Sequence, residues 1–328
     1  MPRVGVIGTM VWDRIHARDG RMEPIEEWGG ISYALSAWAA ARTPDLEVVP
    51  IIKIGQDLDE AARRFLAELP GLHVGAGVKT VPEPNNRVEL RYQDNVRRCE
   101  RLTGGVPPWT WPELEPLVRD LDALYVNFIS GFEMDLETAA SLRQAFPGPI
   151  YADLHSLLLG ILPDGLRTPR PLEAWREWMR CFDIVQVNED ELVWLAGAWG
   201  DPWVFAAEVV GEMPRLLLIT LGARGAAYVA APEFRPDPLA WRDGGLIAPK
   251  PVGVTGAVRT ERVFQLDEIR DGDPTGCGDV WGSTCFARLL AGDPLREAMV
   301  AANRAAARNV QHRGATGLYH FLQGRIET

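Results

Sequence analysis

The residues best suited to do chemistry lie together near the end of the chain, in Asp273-Pro-Thr-Gly-Cys-Gly-Asp279. Gly276 and Gly278 permit a tight turn whose N–H groups converge on one point. An apolar helical stretch, residues 280–290, follows at once and adds the positive end of its dipole. Such a turn is an anion hole, and Asp279 sets a carboxylate within one turn of it. Donors gathered around a migrating phosphoryl group, next to a carboxylate that takes the proton of an attacking hydroxyl, are what phosphoryl transfer to an alcohol requires. Aspartate is a weak base in water, but in a loose transition state the proton leaves late, so placement outweighs basicity. A plainer alternative stands beside this one: Asp279 caps a helix and the glycines form a loop.

Other chemistries are poorly served. Trp281 occupies the place where G-x-G-x-x-G needs its third glycine, the turn Gly5-Val-Ile-Gly8 lacks that fingerprint too, and no G-x-x-x-x-G-K-S/T occurs. The four cysteines (Cys99, Cys181, Cys277, Cys285) form no C-x-x-C pair and no zinc spacing, and so read as reduced thiols; the five histidines form no H-E-x-x-H. A formal charge of −11 argues against a surface that collects nucleic-acid phosphates or anionic lipid. No apolar run reaches the roughly 18 residues of a membrane helix. The first run, Val4 to Val11, stops at Trp12 and Asp13 and reads as a buried strand rather than a signal peptide. A cytoplasmic protein with neither nucleic acid nor membrane as partner is expected.

These residues need a frame. The 328 residues, 47% hydrophobic, suffice for a large core without disulfide or metal, built as two domains or as one domain with an appendage. Short apolar runs at 4–7, 48–52, 124–128, 150–152, 184–187 and 216–220 alternate with helical-period stretches at 32–42, 58–69 and 136–146. That alternation predicts a parallel sheet covered by helices. Near the C-terminus Gly292 closes one helix, and Asp293-Pro294 opens the next with an N-cap and a proline at its first position. The tryptophans Trp109, Trp111, Trp175, Trp178, Trp194 and Trp199 fall mostly on apolar faces and read as core. Two stretches break the pattern. Residues 13–29 surround an Asp19-Gly20 pair, a hairpin signal. Within 79–104, Arg87-Val-Glu-Leu-Arg-Tyr alternates as a strand with Arg87, Glu89 and Arg91 on one face, while Asn86 leads into it. Together they would make a small sheet standing off the main domain as a lid; two ordinary surface hairpins are the alternative. An exposed edge of that sheet would leave room for a homodimer.

Asp273 to Asp279 resembles the D-T-x-G-A-G-D signature of the ribokinase-like, PfkB-type carbohydrate kinase family. Five further stretches resemble family motifs in the family's order, over nearly the whole chain. Gly8-Thr-Met-Val-Trp-Asp13 is similar to the first strand-turn, Trp28-Gly29-Gly30 to the di-glycine and Gly55-Gln-Asp57 to G-x-D. Asn188-Glu-Asp-Glu191 is similar to N-x-x-E, and Thr220-Leu-Gly-Ala-Arg-Gly225 to the T-L-G-x-x-G nucleotide loop. The resemblance implies a single α/β domain over 1–328: a ribokinase-like three-layer α/β/α sandwich with a mostly parallel central sheet and a small β-sheet lid from about 13–29 and 79–104. It implies an ATP-dependent kinase acting on a hydroxyl of a sugar or related polyol. A nucleoside kinase, with Trp12 and Tyr33 available as an aromatic wall near Asp13, and a non-catalytic sugar- or nucleotide-responsive binding protein are the alternatives.

Carried over position by position, the resemblance makes Asp279 the catalytic base, with Gly276, Cys277 and Gly278 supplying anion-hole amides. Asp13, Gly29 and Gly30 would hold the acceptor. Asn188 and Glu191 would organise Mg2+ and phosphate, Glu191 through water, unless they form only a helix start made of solvated acids. Thr220, Gly222 and Gly225 would border the nucleotide, with Asn303 near the adenine. The implied cofactors are ATP and Mg2+, with a monovalent cation left open; magnesium held largely by phosphate oxygens and water leaves little protein signature. Several positions depart from the family. Many relatives carry asparagine where this chain has Ala34 and Val11, so two hydroxyl partners are missing. Asp153-Leu-His155 stands for the usual D-P-N, which makes His155 either a ligand contact or a satisfied polar residue. Cys277 replaces the usual alanine and reads as a small apolar residue rather than a redox group.

Overall fold

Runs of leucine, valine and isoleucine too apolar to face water on either side build the central sheet. The computed structural model describes residues 1–16, 23–92, 98–212, 214–232, 234–235, 238, 258–265 and 272–324. In chain order its strands are β1 (Arg3–Ile7), β2 (Met10–His16), β3 (Ile25–Gly30), β4 (Glu47–Gly55), β5 (Val78–Val81), β6 (Arg87–Tyr92), β7 (Arg98–Thr103) and β8 (Ala123–Asn127). They continue as β9 (Ile150–Asp153), β10 (Leu159–Ile161), β11 (Arg167–Pro169), β12 (Ile184–Asn188), β13 (Leu216–Thr220), β14 (Ala226–Ala230) and β15 (Arg259–Val263). The main sheet runs β15-β14-β13-β12-β9-β8-β1-β4-β5. It is parallel except at one end, where β13, β14 and β15 pair antiparallel.

The helices are α1 (Ile31–Ala41), α2 (Asp59–Ala67), α3 (Trp111–Val118), α4 (Leu136–Ala145), α5 (Trp175–Arg180), α6 (Glu189–Ala196), α7 (Pro202–Glu212), α8 (Cys277–Leu290), α9 (Leu295–Asn309) and α10 (Leu318–Leu322). Side chains alternate across a strand, so successive residues reach opposite layers. Tyr125 and Tyr151 meet Trp38 of α1 and Phe286 of α8, while Phe128 packs edge-on against Trp178 of α5 on the other side. Burying each of these large rings contributes roughly 2–3 kcal/mol. The result is the parallel sheet covered by helices that the alternating pattern predicts, in the three-layer α/β/α arrangement that the family resemblance implies.

A second sheet, β3-β2-β6-β7, stands apart from the first. Its apolar face joins Val11, Ile15, Val88, Leu90 and Leu102 to Ile129 and Phe132 of the loop after β8. The hairpin partners β2 and β3 are present, while the Asp19-Gly20 pair lies outside the described residues. The boundaries differ from the expected 13–29 and 79–104. The small sheet begins at Met10, and residues Val78–Val81 instead form β5, because they pair parallel with β4 at the rim of the main sheet. Both outer strands of the small sheet are engaged by their own chain. Beside β7, Leu102 N–H donates to Gly165 O (2.9 Å) and Arg101 pairs with Asp164 (2.5 Å); beside β3, Ala315 N–H donates to Trp28 O (3.0 Å). The expected open edge is thereby partly occupied.

Two local expectations shift. α9 starts at Leu295 with Pro294 in the cap position, because the Asp293 carboxylate accepts from Arg288 Nε (2.7 Å) instead of capping. Trp109 and Trp178 are core, as their apolar surroundings suggest, but Trp194 and Trp199 are exposed, on α6 and the turn after it.

Candidate active site

The turn before α8 is shaped by its own side chains. The Asp273 carboxylate accepts from the Thr275 N–H (2.9 Å) and hydroxyl (2.6 Å), and Asn309 of α9 donates to Thr275 O (2.8 Å). Gly276 then takes a left-handed conformation, φ +76°, in which a side chain would be strained and would also strike the Tyr33 ring, 2.3 Å from a Cβ placed there. The first backbone bond of α8 runs from Val280 N–H to Gly276 O (2.9 Å). The amides of Gly278 and Asp279 therefore precede the ladder, where a helix leaves N–H groups for an anion. Gly278 is exposed and Asp279 half-buried. The Cys277 N–H points back to Pro274 O (3.2 Å), and its thiol approaches Ala306 O and Asn309 of α9. The cysteine side chain thus packs behind the turn as a small residue.

Beneath this turn lies a row of buried polar residues that sequence reasoning does not single out. Asn127 on β8 is in register with Asp153 on β9, which is in register with Gln186 on β12. Neighbours in register on parallel strands point to the same face, here toward α8. Asn127 Nδ2 donates to Asp279 Oδ1 (2.7 Å). Gln186 Nε2 donates to Asp153 Oδ2 (2.8 Å) and Gly278 O (3.1 Å), and Tyr151 Oη donates to Gln186 Oε1 (2.5 Å). Gly282 makes room for this row: a Cβ there would sit 2.2 Å from Gln186 Oε1. The signal in the sequence is a polar residue ending or interrupting an apolar strand run at matching depth.

Asn188 and Glu191 cap α6 reciprocally. Glu191 N–H donates to Asn188 Oδ1 (2.9 Å), while Asn188 N–H (2.7 Å) and Nδ2 (2.6 Å) donate to the Glu191 carboxylate. Glu191 is buried rather than solvated, and His155 Nδ1 lies 2.6 Å from its Oε1. His155 is thus a partner of the N-x-x-E glutamate. Burial lowers the affinity of its ring for a proton, but the Glu191 carboxylate overrides this and raises its pKa to about 9. Asp153 goes up to about 8, through burial first and then the charges of Glu191 and Asp279. Carboxylates this crowded suit a divalent cation brought with phosphate. Among the described residues no group of three or more His, Cys, Asp or Glu is placed to hold a metal directly. Magnesium bound mainly by phosphate oxygens and water asks for few protein ligands, and the buried Glu191 carboxylate is of the chemistry that would meet it through water.

On the acceptor side, Asp13 is buried and its carboxylate lies over Gly29, where a Cβ would come within 1.8 Å of Oδ2. Gly30, at φ +59°, starts α1 and comes close to Thr9 O. Glu133 pins the neighbouring loops by accepting from Thr9 Oγ1 (2.9 Å), Ser130 N–H (2.6 Å) and Gly131 N–H (3.0 Å). Trp12 points to the face of β2 opposite Asp13 and stacks edge-on against Trp28, and Tyr33 is buried against Gly276. Ala34 and Val11 are packed in apolar surroundings. The charged face of β6 is largely self-paired: Arg87 binds Asp57 (2.6 Å), and Glu89 binds Arg91 (2.8 Å) and His16 (2.7 Å).

On the remaining side, Thr220 ends β13, and Gly222 and Gly225 adopt positive φ, +56° and +92°. A Cβ at Gly225 would lie 2.2 Å from Val263 O. Asn303 is buried; its Oδ1 accepts from Trp281 Nε1 (2.8 Å) and its Nδ2 donates to Val263 O (3.2 Å) and Phe264 O (3.4 Å). Its amide thus fixes the end of β15 to α8 and α9.

A family model described as pfkB family carbohydrate kinase matches residues 46–320. Among solved structures, a putative ribokinase II from E. coli in complex with ATP and Mg2+ is similar at a TM-score of 0.70 and 16% identity, over 99% of this chain and 100% of that one. A pyrophosphate-dependent kinase in the ribokinase family, complexed with a pyrophosphate analog and myo-inositol, is similar at 0.70 and 16%, over 96% of both chains. Burkholderia thailandensis nucleoside kinase in complex with inosine is similar at 0.67 and 15%, over 98% of this chain and 97% of that one. No curated protein matches in sequence. At such identities the structural likeness is one of fold. No described helix is long and apolar enough to cross a membrane.

Proposed function

The chain belongs to the pfkB family of carbohydrate kinases and is a phosphotransferase; on that premise we propose that it transfers the γ-phosphoryl group of ATP to a hydroxyl of a sugar or related polyol. The observation carrying this reading is the start of α8, where the first turn after Gly276 sets the Asp279 carboxylate, held by Asn127, beside the positive end of the helix. The amides and the dipole of α8 take the charge of the migrating phosphoryl group. Asp279 accepts the proton of the attacking hydroxyl, and because that proton leaves late, fixed geometry counts for more than basicity. Asp13 and the backbone at Gly29 and Gly30 hold the acceptor. Asn188 and Glu191 face the donor phosphates, with His155 supplying positive charge beside Glu191. Magnesium, when bound with the donor, neutralises phosphate charge. Thr220, Gly222 and Gly225 border the nucleotide, and Asn303 secures the wall beside it. The small sheet covers the acceptor and excludes water, which limits wasteful hydrolysis.

Structural relatives were solved with myo-inositol and with inosine. A polyol is favoured over a nucleoside because Trp12 faces away from Asp13 and Tyr33 is buried, so neither offers a base a stacking surface. The test is phosphorylated-product formation across a panel of sugars, cyclic polyols and nucleosides, with ATP and with pyrophosphate as donors. ATP-dependent turnover of one or a few polyols supports the assignment. Turnover confined to nucleosides, or to pyrophosphate, would replace the acceptor or the donor, and no turnover with any pair would favour a binding protein.

A further inference from the structure

Nothing in the family motifs points to Asn127, yet it is the residue that grips the proposed base. Its side chain is fully buried at the last position of β8, and its backbone is fixed on both sides. Phe128 N–H donates to Asp153 O (3.1 Å), and Ile129 N–H donates to Asn127 O (3.0 Å). Gly8 at the end of β1 packs close by, with a Cβ there lying 3.1 Å from Asn127 O. From this rigid seat Nδ2 reaches Asp279 Oδ1 at 2.7 Å, across 152 residues of sequence.

We propose that Asn127 is a positioning residue for phosphoryl transfer, holding the Asp279 carboxylate by one oxygen so that it meets the acceptor hydroxyl in a single orientation. This rests on Asp279 being the proton acceptor. A carboxylate at the start of a helix can rotate about two side-chain bonds, and one buried donor on the sheet removes that freedom. Asp153 of β9 and Tyr125 of β8 feel the charge of Asp279 directly, and Glu191 of α6 and His155 of the turn after β9 act on Asp153 in turn. The Asn127 amide reaches Asp279 Oδ1 as a buried donor from the sheet.

The test uses the full-length protein, ATP, and the best acceptor among myo-inositol, ribose and fructose. Asn127→Ala should lower kcat by about 10–100-fold, the scale expected for an ångström-sized misplacement, with KM for ATP and acceptor changed less than about threefold. Asn127→Asp keeps the shape and turns the donor into an acceptor. Its kcat relative to wild type should be lowest near pH 8 and recover toward pH 5.5, where the introduced carboxyl group carries a proton to donate to Asp279. It carries the test alone if the alanine variant does not fold. A wild-type kcat in either variant, or a ratio to wild type that does not change with pH, would overturn the proposal. Asp279→Asn, measured alongside, separates the two ideas. If it is inactive while Asn127→Asp tracks wild type, only the role of Asn127 fails; if it stays active, the base assignment fails and takes this proposal with it.

Discussion

The carboxylate of Asp13 occupies the space that any side chain at residue 29 would need, with Oδ2 only 1.8 Å from where a Cβ on Gly29 would be. The two residues sit on paired strands of the small sheet, β2 and β3, so their backbones are held at a fixed separation and only the Asp13 side chain can give way. The glycine therefore matters less for flexibility than for leaving Asp13 its place. Gly30 beside it is the position whose backbone itself, at φ +59°, requires glycine.

Gly29→Ala should push Asp13 out of its seat. The expected result is a rise in acceptor KM of about tenfold or more, on the scale of one lost charge-assisted hydrogen bond, with donor KM little changed. Steady-state kinetics varying each substrate in turn checks this. A variant whose acceptor KM matches wild type would show that Asp13 does not hold the acceptor.

Arg167 ties the small sheet to the body. Almost fully buried, it donates to the carbonyls of Ile129 (2.8 Å) and Ser130 (3.2 Å) and pairs with Glu100 of β7 (3.3 Å). Arg167→Leu leaves Glu100 and two carbonyls without that partner and should cost about 3–5 kcal/mol. Loosening the sheet should also raise ATP hydrolysis without acceptor, relative to transfer. Thermal melting and ADP release in the absence of acceptor measure both. An unchanged melting temperature with unchanged hydrolysis would remove Arg167 from this role.

The buried acids set the pH dependence of stability. Asp153 in the folded protein is raised to about 8 and His155 to about 9, both above their ordinary values. The folded state thus holds more protons than the unfolded chain, from about pH 4 to 8 at Asp153 and from about 6.5 to 9 at His155. Stability from these groups is present at lower pH and lost as pH rises through those windows, more weakly at His155 because its ring is 37% exposed and screened by solvent. Urea midpoints at pH 5, 7 and 9 should fall in that order, and Asp153→Asn should flatten the drop below pH 8. A midpoint that rises with pH, or a slope unaltered by the substitution, would contradict the assignment.

Much of this was legible in the chain. The apolar runs at 124–128, 150–152, 184–187 and 216–220 locate β8, β9, β12 and β13 within a residue or so, because strands buried on both faces have few other compositions. The glycines and aspartates of 273–279 likewise mark the start of α8. What was not legible depends on register. Asn127, Asp153 and Gln186 form one row only because three strands far apart in sequence align, and no local pattern encodes that alignment. The same holds for His155, whose partner Glu191 lies 36 residues away. β5 was misplaced because four residues carry too weak a period to separate the rim of one sheet from the neighbouring one.

The most direct test of the central claim is single-turnover phosphoryl transfer by Asp279→Asn, paired with its ATP affinity measured by calorimetry. The expected result is ATP binding within a few-fold of wild type and a transfer rate lower by about three orders of magnitude or more, the upper part of the range for general-base removal. Transfer within tenfold of wild type, with the correct acceptor at saturation, would show that the carboxylate at the start of α8 does not take the proton.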